Sequence, residues 1–121
     1  MPREDVHPVF DAVVETRGVE GVFEISNDGF ILRSLQSRSS DPEGIAAAIA
    51  ATMRSWRKIG NDLQLGRLDW VLLEYERGRV VVAHYGTTML VIIGSLHMIY
   101  GEVLMKVRPP VSPQTKNGSL P

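Results

Sequence analysis

Residues 19–35 read VEGVFEISNDGFILRSL, and this stretch decides the fold. Along Val19–Ser26, Glu20 and Glu24 fall on one face of an extended chain, and Phe23 and Ile25 on the other. Asn27-Asp28-Gly29 supplies residues that tolerate positive φ, and Phe30–Leu35 then resumes as a second apolar strand. A hairpin at this point starts an antiparallel sheet, around which the remaining segments must be placed.

Upstream, Val6, Val9 or Phe10, Val13 and Val14 recur at helical spacing from about Val6 to Arg17. Pro8 is acceptable there only in the first turn, and Gly18 reads as the stop. Downstream, Gln36–Ser40 is a polar loop. Asp41-Pro42-Glu43 then opens a helix, with Asp as N-cap and Pro at the first helical position, running to Ile59 or Gly60. Its expected core stripe is Ile45, Ile49, Met53, Trp56 and Ile59. Three strands follow at about Arg67–Arg77, Arg79–Tyr85 and Thr87–Gly94, punctuated by Gly78 and Gly86. They are apolar on both faces, so helices should cover both sides of the sheet. A last amphipathic segment, Ser95 to about Arg108, offers Leu96, Ile99, Val103 and Met105 as core contacts, and Pro109-Pro110 ends it. The reading is an α+β chain of order helix, hairpin, helix, three-strand meander, helix. Residues 1–108 form the domain, and 109–121 are expected to be a disordered Pro-rich tail.

The 121 residues suffice for one domain with a hydrophobic core, and they contain no cysteine, which removes disulfides, thiolate metal sites and cysteine nucleophiles. A net charge of −1 carries no global nucleic-acid footprint. No apolar run reaches the ~18–20 residues of a membrane span. Met1-Pro2-Arg3-Glu4-Asp5 does not resemble a secretory signal, so a cytoplasmic protein is expected. Charge is nonetheless unevenly spread. Residues 1–28 hold seven acids against two bases, whereas residues 29–67 hold six bases against three acids. Such asymmetry can steer an encounter with a charged partner.

Motifs for chemistry are missing. There is no phosphate-binding Gly-x-x-x-x-Gly-Lys-Ser/Thr, no Gly-x-Gly-x-x-Gly after a strand, and no Gly-x-Ser-x-Gly elbow. His7, His84 and His97 lie far apart and read as structural histidines, not as metal ligands. Glu20, Glu24, Glu74 and Glu76 read as solvated or edge-protecting charges. No catalytic residue, metal ligand or cofactor site is nominated.

The second helix is unusual. On a helical wheel Ile45, Ile49, Trp56 and Leu63 point one way, and Ala47, Ala50, Ala51, Arg54 and Lys58 roughly the other. Alanine is the best helix former, but small side chains on a second face also permit close approach of another helix. The strand containing Leu68, Trp70 and Leu72 would be a long, sticky edge if left alone. Pairing with a second copy removes that edge. The expected dimer interface is therefore Ala47, Ala50, Ala51 and Arg54 of the helix with Leu68, Trp70 and Leu72 of the strand. Arg54, Arg57 and Lys58 from each copy, extended by Arg67, would form a basic surface for an acidic partner.

Four stretches together resemble the Roadblock/dynein light chain superfamily, in its bacterial and archaeal mutual gliding protein B branch. They are Gly18-Val19-Glu20-Gly21-Val22, Asn27-Asp28-Gly29-Phe30-Ile31-Leu32, Ile45-Ala46-Ala47-Ala48-Ile49-Ala50-Ala51, and Met89–Ile93 followed by Ile99-Tyr100-Gly101. The resemblance spans about residues 5–108. It implies a five-stranded antiparallel sheet in a profilin-like arrangement, with one helix on one side and two on the other. It also implies dimerisation through the third strand and second helix, and a non-enzymatic role as regulator or scaffold of a small Ras-like GTPase. Two alternatives stand beside it: an adaptor in a signalling or motor-type assembly without a GTPase, and a small-ligand sensor. The chain departs from the family pattern at Met98-Ile99-Tyr100-Gly101, which lacks the usual Asn before Leu-Gly, and at Pro109-Pro110, which shortens the last helix.

Overall fold

The computed structural model describes residues 7–35 and 41–107. The Gln36–Ser40 loop and the Pro-rich tail from Pro109 lie outside the described residues. Elements run α1 (His7–Val14), β1 (Val19–Ser26), β2 (Ile31–Leu35), α2 (Pro42–Asp62), β3 (Trp70–Tyr75), β4 (Gly78–His84), β5 (Thr88–Gly94) and α3 (Tyr100–Val107). The five strands form one antiparallel sheet of order β2-β1-β5-β4-β3. β1 and β5 thus pair across the sheet's centre, while β2 and β3 form its edges.

Strand alternation sorts the core into two layers. On one face Val22, Val81, Ala83, Leu90 and Ile92 pack under α1 and α3, which contribute Phe10, Val13, Val103 and Val107. On the other, Phe23, Ile25, Val82, Met89 and Val91 pack under α2, which contributes Ala46, Ala50 and Met53. One helix on one side and two on the other is the arrangement that strands apolar on both faces demand.

The hairpin turn forms at Asn27-Asp28-Gly29, with the Gly29 N–H donating to the Ser26 carbonyl at 2.9 Å and the Phe30 N–H to the Ser26 hydroxyl at 3.1 Å. Gly29 has φ +93°, and a Cβ there would come within 2.9 Å of Ala47 Cα. The hairpin therefore rests on α2, and small residues at positions 46, 47 and 50 let it do so.

Three readings are corrected here. Glu24 is fully buried opposite Arg33 on β2, because its face of β1 is covered by α1 and not solvated. The last helix begins at Tyr100, not Ser95, since Ser95–Met98 forms a turn closed by the Met98 N–H on the Ser95 carbonyl at 3.0 Å. Met98 is the buried residue of that turn, while Leu96, Ile99 and Met105 remain exposed. Arg79 holds the turn in place by donating to the Met98 carbonyl at 2.6 Å and lying over the Tyr100 ring at 5.0 Å. The Tyr100 hydroxyl in turn donates to the Leu73 carbonyl at 2.9 Å, which ties α3 to β3.

The third correction concerns α2. Asp41 caps it as expected, accepting from the Gly44 N–H at 3.1 Å with Pro42 in the first turn. Met53 is buried as expected and Ile45 and Ile49 are partly buried, but the centre of the contact with the sheet is shifted off the expected stripe. It falls on Ala46, Ala50 and Met53, between the Ile45–Trp56 flank and the Ala47–Arg54 flank. Trp56 and Ile59, expected in the core, are 49% and 46% exposed. The cause is reach: alanines bring the helix backbone close to the strands, so the isoleucine and tryptophan flank is turned toward the β3 edge.

Candidate interaction surface

That rotation leaves a continuous apolar face on one side of the molecule. Ile45, Ile49 and Trp56 of α2 look across to Val71, Leu73 and Tyr75 of β3 over an open groove of about 440 Å³. A second hollow continues from Trp56 and Ile59 past Leu65 and Leu68 and around the β3 edge, where Trp70 and Leu72 border it from the other face of the sheet. Leu65 is 73% exposed and Tyr75 59%. Contiguous apolar area of this kind is uncommon on a protein that works alone.

β3 borders this face at the edge of the sheet, and its outer side pairs with no other described strand. The His84 N–H donates to the Asp69 carbonyl at 2.8 Å, and pairing continues through Val71↔Val82 and Leu73↔Val80. In an antiparallel ladder backbone groups alternate in direction, so those of Trp70, Leu72 and Glu74 point to the open edge. The Trp70 and Leu72 side chains lie on the sheet face shared with Ala83 and Val81, away from α2. Leu68, just before the strand, packs against the α2-side core.

The sequence-nominated helix residues are distributed otherwise than expected. Ala50 is 1% exposed against the sheet, so it is unavailable to a partner, and its assignment to a dimer interface is withdrawn. Ala47 lies beside the hairpin turn, and Ala51 is exposed on the same flank. Arg54 turns toward that hairpin and donates to the Asn27 carbonyl at 3.2 Å. Lys58 pairs with Asp62 at 2.7 Å and Arg67 with Asp69 at 2.6 Å, both exposed. Arg57 is half-buried beside His84. The four bases thus do not converge on one point.

His84 anchors a polar lattice at the end of the sheet. The Gly86 N–H donates to Nδ1 at 3.3 Å, which makes the Nε2 contact of 3.2 Å a donation to Asn27 Oδ1. The Asn27 amide completes the ring by donating to the Gly86 carbonyl at 2.8 Å. Burial, and secondarily the Arg57 charge, lower the His84 pKa below 6.5, while Asp69 opposes the shift. Unfolded chains therefore take up this proton before folded ones. Stability is fully present above 6.5 and falls as pH drops through 6.5 toward the lowered value. Urea midpoints measured across this window should decline more steeply for the wild type than for His84→Gln, which carries no titrating ring.

Among the described residues, no group of three or more His, Asp or Glu side chains could hold a metal ion. No described helix is long and apolar enough to cross a membrane.

A five-stranded antiparallel sheet with α2 on one face and α1 and α3 on the other defines the class of α+β domain to which the chain belongs. The chain belongs to the Roadblock/LC7 domain family, whose model matches residues 6–94. Two uncharacterised proteins of Methanocaldococcus jannaschii are each 24% identical over 94 residues, covering 78% of this chain and 82% of theirs. The fold is similar to that of MglB from Myxococcus xanthus, with TM-score 0.78, 14% identity and 89% of both chains covered. It is also similar to the gliding protein MglB of Thermus thermophilus, with TM-score 0.75, 17% identity and coverage of 87% and 82%. A further MglB structure of comparable similarity, TM-score 0.75, is described as a tetrameric arrangement.

Proposed function

We propose that the protein is a homodimeric, non-enzymatic cytoplasmic regulator or scaffold for a small Ras-like GTPase. The observation that carries the dimer is the β3 edge, paired with no other described strand, lying beside the partly buried Ile45 and Ile49 and the exposed Trp56 of α2. Two copies joined edge to edge would bury both features at once around a two-fold axis. The tetrameric arrangement of an MglB supports a family habit of self-association. The GTPase rests on the family resemblance; fold alone does not choose a partner.

Dimerisation through that flank would leave the opposite flank of α2, with Ala51, Arg54 and Lys58, facing outward on each copy. This outer flank is the partner surface we infer, with Arg57 and Arg67 at its far end. Reversing Arg54 and Lys58 to Glu should weaken binding of an acidic-surfaced GTPase by at least about tenfold at low salt, chiefly through slower association. The dimer should persist, as judged by sedimentation. Unchanged affinity with an intact dimer would place the GTPase elsewhere, whereas loss of the dimer would refute the assignment of this flank to the outside.

A further inference from the structure

We infer that the notch between the C-terminal end of α2 and the β4–β5 turn is an oxyanion site centred on Arg57. The notch is a hollow of about 270 Å³, lined by Arg57, Asn61, Gly66, Arg67 and Gly86 with His84 as its inner wall. It shares no lining residue with the groove between α2 and β3, while Gly66, Arg67 and Leu68 border both the notch and the second hollow.

Its lining mixes the apolar wall of Leu68 with polar groups, and its charged side chains are both guanidiniums, Arg57 and Arg67. Arg57 is half-buried, and among the described residues no carboxylate or carbonyl is hydrogen-bonded to its guanidinium. Nearby cations are otherwise engaged: Lys58 with Asp62, and Arg54 with the Asn27 carbonyl. Arg67 commits Nε to Asp69, which leaves its two Nη groups available at the mouth. Among the described residues no carboxylate lines the notch; Asp69, close enough to act on the His84 charge, is paired with Arg67. The Asn61 side chain adds an amide donor, and Gly66 and Gly86 leave the walls without side chains. Both ring nitrogens of His84 are occupied by Gly86 and Asn27, so the ring stays neutral beside the guanidinium and adds no charge.

A half-buried guanidinium without a counter-charge is costly, and its planar fork matches an oxyanion bidentately. The C-terminal carbonyls of α2, which would repel an anion, are blunted. Leu63, Gln64 and Leu65 N–H groups cap the carbonyls of Ile59, Asn61 and Gly60 at 2.8–3.1 Å. The ligand class is a small oxyanion, supplied as a phosphoryl group or as the carboxylate of an acidic side chain.

The experiment is a proton–nitrogen correlation titration of the full chain with inorganic phosphate, with acetate in parallel, at constant ionic strength and neutral pH. Saturable shifts are expected at the Gly66, Arg67 and Gly86 amides and the Arg57 Nε. Arg57→Gln should weaken them at least about tenfold, and Arg57→Lys less, because charge remains while the fork is lost. Tighter phosphate binding assigns a phosphoryl ligand, and tighter acetate binding a carboxylate. Shifts that match a chloride control, or that survive Arg57→Gln, overturn the site. Arg57→Gln should also raise the His84 pKa in the absence of any added anion, which verifies that the variant has kept its local geometry. None of these readouts requires a GTPase, so failure of the proposed function would leave them unaffected.

Discussion

Gly18→Ala should lower stability by about 3 kcal/mol. Gly18 sits at φ +86°, where an L-residue costs roughly 1–2 kcal/mol. A Cβ there would also lie 2.4 Å from the Met98 backbone nitrogen and 2.6 Å from its Cα, atoms that no rotamer change can move. Met98 cannot retreat easily, since its own N–H and carbonyl are held by Ser95 and Arg79 and its side chain is fully buried. Forced overpacking of this kind adds about 1–3 kcal/mol. For a domain of this size the sum corresponds to a melting-temperature fall of roughly 10–20 °C. Gly86→Ala supplies the contrast: φ is +87°, but its Cβ would meet nothing within 4 Å. It should lose only the conformational part. Equal losses at the two positions would show that the Gly18–Met98 approach is not what secures α3 to the β1 entry.

The second large effect is dissociation of the proposed dimer by Trp56→Glu combined with Leu73→Glu. Both side chains are exposed in the single chain, 49% and 39%, so the substitutions spare the core and far-UV circular dichroism should be unchanged. In a dimer joined along β3 and the α2 flank, each would place an unpaired carboxylate in the middle of the contact. The dissociation constant should rise by at least about 100-fold, seen as a monomer in sedimentation at micromolar concentration. Ala51→Glu distinguishes this geometry from the one expected from the wheel alone. The sequence reading puts Ala51 inside the interface, whereas the folded chain has it on the opposite flank of α2. Ala51→Glu should therefore leave the dimer whole, and a monomer from that change would restore the alanine interface.

The order of the elements and the hairpin were legible in the sequence because they depend on local chemistry. Asn27-Asp28-Gly29 turns the chain wherever it is, Asp41-Pro42 starts a helix, and apolar alternation marks strands irrespective of their neighbours. The two-sided cover also followed, since β4 and β5 are apolar on both faces and cannot face water on either. The sequence also singled out the β3 edge and α2 as the unusual elements.

Tertiary structure alone decided which way α2 is rotated. Periodicity measures where apolar residues cluster on a wheel, and by that measure Ile45, Ile49, Trp56 and Ile59 belong inside. Burial goes instead to the face that packs closest. Ala46 and Ala50 give that approach to the sheet, and Ala47 gives it to Gly29 of the hairpin. A long-range constraint, the position of a turn about twenty residues upstream, thus outweighs the hydrophobic pattern of the helix itself. The same holds for Glu24, a charge whose burial depends on α1 crossing its face of β1, and for His84, whose lattice joins turns far apart in the chain. Local spacing specifies which elements form. Only their packing determines which flank of each remains for a partner.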